Sequence, residues 1–167
     1  LVKFVDDSEK LRQKIDYLFD FKFKNLDDLD YFFSYIAPFN ILNDVIDNKF
    51  DFVFSISVLE HIPPSIINDF MGSLIKIHSK NGESVHFIDL TDHYDHNENP
   101  FGFLSTKYQD YDEDKLADSR GNRIRAYEWK NILKNHPVKI IRSHLIKSDP
   151  SFLPKNLSSK YINIQKE

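Results

Sequence analysis

The sequence predicts an α/β domain organised around a parallel sheet, and three observations lead there. The run Phe50-Asp51-Phe52-Val53-Phe54-Ser55-Ile56 is largely apolar and lacks the alternation of a half-exposed strand, as suits a strand covered on both faces. A helical pattern follows Pro63-Pro64, and a second apolar run covers Val85 to Leu90. Strand, helix and strand at this spacing form a crossover unit whose strands run parallel. Finally, the small hydroxyls of Ser55 and Ser57 stand where the first strand ends, and open α/β sheets bind ligands beyond the carboxyl ends of their strands.

Size and composition bound the rest. A chain of 167 residues with 41% hydrophobic content can bury a core, and a single domain over residues 1–167 is expected. The net charge of −4 provides no basic field for nucleic acid. Without cysteine there is no disulfide or thiolate chemistry, which fits the cytoplasm. No run is apolar enough for a bilayer span or a signal peptide, so no membrane partner is expected. None of the four glycines stands in a G-x-G-x-x-G or G-x-x-x-x-G-K pattern, so a phosphate-cradling loop is not encoded.

In chain order, Asp6-Asp7-Ser8-Glu9 resembles a helix start, since acidic and capping residues suit the positive end of the helix dipole. Leu11, Ile15, Leu18 and Phe19 continue it at helical spacing. A second short helix after Asn25 would bury Leu26, Leu29 and Phe32 or Phe33. Ser34-Tyr35-Ile36-Ala37 reads as a short strand stopped by Pro38. After the central strand, Pro63-Pro64 suits a first helical turn, with Ile67, Phe70 or Met71, Leu74 and His78 along one face. Asn81-Gly82 closes that connection. Residues 91–125 are polar, acidic and aromatic with little periodicity, and a loop of that length inside a compact domain is usually functional or disordered. A helix carries Ala126, Trp129 and Leu133, and Val138–Ile141 and Tyr161–Ile164 read as final strands.

Three clusters carry chemistry. The first strand runs into Ser55, Ser57, Glu60 and His61, where an imidazole suits general-base work near neutral pH. Asp89-Leu90-Thr91-Asp92-His93-Tyr94-Asp95-His96 follows the second strand. Its carboxylates and imidazoles suit metal binding, yet their order has no established ligand spacing, and the segment equally suits a solvated loop. Asn122-Arg123-Ile124-Arg125 precedes the last helix, and arginine suits carboxylate or phosphate through its planar donor fork.

The segment F-D-F-V-F-S-I-S-V-L-E-H resembles the fourth strand and following loop of class I S-adenosylmethionine-dependent methyltransferases. The later pieces I-D-L-T-D-H-Y-D-H, F-G-F-L and N-R-I-R resemble one subgroup that continues from its fifth strand into a long substrate-side insertion. The likeness runs from about Tyr35 onward. It implies an incomplete Rossmann-like sheet, strands 3 to 7 of a seven-stranded fold with flanking helices, and residues 91–125 as the insertion. It also implies methyl transfer from S-adenosylmethionine to a small-molecule or sugar-type acceptor. By this resemblance Asn40, Ser55 and Ser57 contact the cofactor, and His61, Asp92 and His93 serve catalysis. Asp89, Arg123 and Arg125 then face the acceptor.

The resemblance is partial. Asn40 stands where the family has an acid at the adenine, and it also suits a plain turn after Pro38. The family's glycine-rich loop and ribose-binding acid have no counterpart before Ser34, so the chain is expected to be the C-terminal part of a longer enzyme, inactive alone. Lacking its first two strands, the sheet would leave the central strand with an unpaired edge and uncovered apolar residues. Two other functions fit the same residues: an inactive methyltransferase-like binding module, and a metal-dependent hydrolase using Asp89, Asp92, His93 and His96.

Overall fold

The computed structural model describes residues 35–108 and 111–166, together with Glu9, Arg12, Gln13 and Asp16. The chain divides into two compact units, residues 1–39 and 40–167. In the first, the four isolated positions are helical. The helix expected after Asn25 lies outside the described residues. Tyr35 to Ala37 form no ladder, contrary to the expected strand. Tyr35 is 88% and Ile36 59% exposed.

The second unit is built on a parallel pair, β1 (Phe50–Ile56) and β2 (His78–Phe87), joined by helix α1 (Ile67–Lys76). Proline at the first turn of a short 3-10 segment, Pro64–Ile66, leads into α1. A ten-residue helix is marginal by itself, and α1 stands because Ile67, Met71 and Leu74 are buried along one face. Each such side chain contributes roughly 1.5–3 kcal/mol on burial. They meet Leu59, Ile124 and Trp129, with Val53, Ile88 and Leu90 packed against them. Trp129 comes from helix α3 (Ala126–Lys134).

The strands differ from expectation in instructive ways. β2 starts at His78, before the expected turn, and Asn81-Gly82 lies inside it at an irregularity. Register jumps there from Phe50 opposite His78 to Phe52 opposite Glu83. A Cβ on Gly82 would fall 2.7 Å from the Phe50 carbonyl oxygen, so the close approach requires glycine. Among the described residues the sheet has only these two strands. Val138–Ile141 runs without a ladder, with Ile141 74% exposed. Tyr161–Ile164 belongs to a 3-10 coil, Ser159–Lys166. Tyr161 is buried there with Phe101, Phe103 and Leu104 in a second apolar cluster. The sheet of strands 3 to 7 is thus reduced to one α/β crossover unit.

Among the described residues, only one face of that unit is covered by the core. Val53 packs on the core, while Phe52, Phe54, Ile56, Val85 and Phe87 lie exposed along the strands. Exposed apolar sheet surface drives association. Replacing Phe54 and Phe87 with lysine is therefore expected to suppress concentration-dependent light scattering while leaving the unfolding midpoint within a few degrees. Scattering unchanged by the double substitution would mean that association uses another surface.

Candidate functional site

The carboxyl end of the parallel pair is where side chains of different loops meet. β1 ends with Ser57 in the left-handed region, φ 52°, while its N–H still reaches the Phe87 carbonyl at 3.1 Å. A non-glycine residue there costs roughly 1–2 kcal/mol. The chain then tightens into a 3-10 turn, Leu59–His61. This turn sends Leu59 into the core and leaves Glu60 1% exposed.

Asn122 holds the turn in place. Its carboxamide donates to the Leu59 and Ile62 carbonyls at 2.9 and 2.8 Å. Its own N–H donates to the Glu60 carbonyl at 2.7 Å. Helix α2 (Glu113–Arg120), unforeseen in the sequence, ends just before it. Asp112 caps α2 by accepting from the Lys115 N–H at 3.1 Å, and Gly121 ends it with φ 86°.

The carbonyls near the end of α2 fix His61. Its Nδ1 lies 2.8 Å from the Asp118 carbonyl and 3.3 Å from that of Ala117. A carbonyl only accepts, so Nδ1 carries the hydrogen and Nε2 keeps the lone pair. The His61 ring stands edge-on to His93, 4.7 Å between centroids. Glu60 Oε1 accepts from the Asp89 N–H at 3.2 Å, while Oε2 is buried and has no hydrogen-bond partner. A ligand-capable atom from each of Glu60, His61 and His93 lies within 4.8 Å of the other two.

Asp89 sits beside this group, its Oδ2 3.6 Å from His93 Nε2 and 4.0 Å from His96 Nδ1. Its Oδ1 accepts from the Thr91 N–H at 2.9 Å and the Thr91 hydroxyl at 2.7 Å. Burial opposes its ionisation, but the Thr91 bonds and the two imidazoles prevail and hold its carboxyl below the ordinary value.

The other sequence-derived site residues lie elsewhere. Asp92 is 1% exposed and is gripped by Arg120 through both carboxylate oxygens, with the Tyr94 N–H also donating at 2.9 Å. This occupied carboxylate is badly placed for a base. The set Asp89, Asp92, His93, His96 is not the one that converges; among the described residues the ligand-like group is Glu60, His61 and His93. Asn40 turns its side-chain oxygen to the Leu42 N–H at 3.0 Å, as a turn residue does. The Ser55 hydroxyl meets His86 Nδ1 at 2.8 Å. Burial, and His78 nearby, keep His86 below the ordinary imidazole value.

Arg123 and Arg125 are interior residues rather than exposed forks. The Arg123 guanidinium stands 4.4 Å from the Tyr111 ring centre and 5.4 Å from that of Tyr161, and donates to the Phe103 carbonyl. Arg125 donates to the Leu90 carbonyl at 2.8 Å. With Asp89 they line a crevice that has no room for a water molecule. A shallow groove of about 780 Å³ follows the flank of α1 from Asn68 to Lys76 and shares no residue with the cluster.

Sequence reasoning named Glu60 in the cluster after the first strand without a role and left Asn122 and Arg120 without roles. A buried glutamate next to histidine at a strand end was a usable signal. The Arg120 pairing, 28 residues from Asp92, had none. No family model, no curated protein and no solved structure matches the chain.

Removing Arg120 by Arg120→Met strands a buried carboxylate and is expected to cost about 3–5 kcal/mol in denaturant unfolding. Adding Asp92→Asn should recover part of the loss, whereas additive losses would refute the pairing. Tyr111 provides a second check. Burial raises its phenol to about 12, with the Arg120 guanidinium pulling the other way. Its folded value lies above the unfolded one, so its contribution to stability is complete below about pH 10 and is lost as pH climbs towards 12. The late phenol in an ultraviolet titration should disappear in Tyr111→Phe.

Proposed function

We propose that this chain supplies the acceptor-activating part of an S-adenosylmethionine-dependent methyl-transfer site, acting on a hydroxyl or amine of a small-molecule or sugar-type acceptor. One observation carries the proposal: Glu60, His61 and His93 converge at the carboxyl end of a parallel strand pair, where open α/β sheets bind their ligands. The strained Ser57 at the same edge adds support, since strain of this kind gathers at functional sites.

The chemistry follows from the tautomer. With Nδ1–H given to the Asp118 carbonyl, His61 has its lone pair on Nε2, ready to take a proton from an acceptor. Positioned proton transfer contributes about 10²–10⁴-fold, and the held ring orientation reduces the entropy of alignment. His93, braced beside Asp89, borders the same space.

The residues fit the methyl donor poorly. Asn40 spends its oxygen on its own turn and Ser55 its hydroxyl on His86, which leaves Ser57 alone of the three at the strand end. In this proposal the donor is held mainly by other parts of a longer protein. The same two engaged side chains favour the second possibility, a methyltransferase-like module that binds without turnover.

The test uses the protein expressed in its native reading frame, with labelled S-adenosylmethionine and a panel of hydroxyl and amine acceptors. Label transfer is expected, with His61→Ala slowing it at least ~100-fold while S-adenosylhomocysteine affinity is unchanged. Absence of transfer to every acceptor would favour the binding module. The chain of residues 1–167 alone should show no saturable S-adenosylhomocysteine binding below ~1 mM, and micromolar binding would overturn the placement of the donor site elsewhere.

A further inference from the structure

We infer that Glu60, His61 and His93 form a binding site for a divalent first-row cation, with Zn²⁺ the first choice. The inference rests on the cluster and does not depend on methyl transfer. Two ligands come from one 3-10 turn after β1 and the third from the loop after β2, so separate parts of the fold bring them together. One carboxylate and two imidazoles are a donor set of catalytic zinc sites, which keep a fourth position open. The same set also suits ferrous iron.

Three details distinguish this group from a chance surface cluster. Glu60 is 1% exposed, yet its Oε2 has no hydrogen-bond partner, and a buried carboxylate oxygen without a partner is costly. Its other oxygen is oriented by the Asp89 N–H at 3.2 Å. His61 gives its Nδ1–H to a backbone carbonyl at 2.8 Å, the outer contact that fixes metal-binding imidazoles with the second nitrogen free to coordinate. His93 Nε2 is likewise buried and without a hydrogen bond, with Asp89 Oδ2 3.6 Å away.

The spacing also suits an ion. The ligand-capable atoms lie within 4.8 Å of one another, whereas ligands about 2.1 Å from a tetrahedral ion stand about 3.4 Å apart. Modest side-chain rotations close that difference. With the cation in place His61 would serve as a ligand, and the ion would acidify a water or acceptor hydroxyl in the open position, whose proton would pass to bulk solvent. The base role proposed for His61 belongs to the protein without the ion.

The experiment takes the 167-residue chain, strips it with chelator, and titrates it with Zn²⁺ against a chromophoric competitor. One equivalent is expected to bind with a submicromolar dissociation constant. Glu60→Gln and His93→Ala should each weaken binding at least ~100-fold, while His144→Ala, at an exposed position, should leave it unchanged. Co²⁺ should give visible bands of four-coordinate intensity that His93→Ala removes. Circular dichroism checks each fold, and His93→Ala, with its side chain already 21% exposed, decides the matter if Glu60→Gln does not fold. Parallel Fe²⁺ and Mn²⁺ titrations, with the same losses in the variants, identify the preferred ion. No stoichiometric binding of any of these cations, or binding that survives both substitutions, would overturn the site.

Discussion

The carboxamide of Asn122 is the contact on which the site depends. It is 2% exposed, donates to two carbonyls of the Leu59–Ile62 turn, and accepts from the Ile124 N–H at 3.1 Å. Each such bond adds only about 1 kcal/mol net, but stranding a buried partner costs ~1–3 kcal/mol. The backbone bends on both sides to bring Asn122 in: Gly121 has φ 86° and Arg123 φ 61°. At Gly121 the requirement is nearly absolute, because ψ there is 153°, a region essentially confined to glycine. One side chain thus fastens the end of the excursion over residues 88–121 to the turn that presents Glu60 and His61.

That fastening matters because the sheet itself provides little rigidity. Two strands are a marginal unit, and β1–β2 persists through the core that α1 and α3 build on one face. The site lies at the rim of this half-covered sheet. Its precision derives from local closures: the carbonyls beside α2 hold His61, the Asp89 N–H holds Glu60, and Thr91 holds Asp89. The Asp92–Arg120 pair closes the loop from behind, tying residue 92 to the last turn of α2. The arginines that resembled substrate contacts strengthen the same support from inside, Arg123 over Tyr111, Phe103 and Tyr161 and Arg125 over Phe101 and Phe103.

How legible this was follows from where the signals lie. The crossover unit was legible because apolar periodicity is written by burial, and Ile67, Met71, Leu74 and Trp129 are all buried. Helix α2 escaped because Ala117 is its only buried residue, so no stripe exists to read. Its cap was nevertheless plain in Asp112-Glu113-Asp114 and Arg120-Gly121. The segments at 138–141 and 161–164 were over-read as strands, since apolar content reveals a wish to be buried but not the presence of a partner strand. Tyr161 illustrates this: its single buried ring is satisfied by a helical coil as well as by a sheet. His61 and His93 were legible by residue type. The inward turning of Arg123 and Arg125 was not, because one-dimensional sequence does not distinguish an arginine facing solvent from one stacked on aromatic rings.

What occupies the cluster can be argued from its dimensions. A hydrogen-bonded triad would hold its atoms at roughly 2.6–3.2 Å, yet Glu60 Oε2 and His93 Nε2 make no hydrogen bond at all. Two donors of the cluster already serve other groups: the His61 Nδ1–H its carbonyl, the Asp89 N–H the opposite oxygen of Glu60. A proton bridges two atoms, whereas here ligand-capable atoms of three residues lie within 4.8 Å of one another. Burial of Glu60 adds its own demand, since a carboxylate removed from water requires compensating positive charge. Arg120 is committed to Asp92 and Arg125 to the Leu90 carbonyl. A small divalent cation satisfies all three atoms together, which no single proton does.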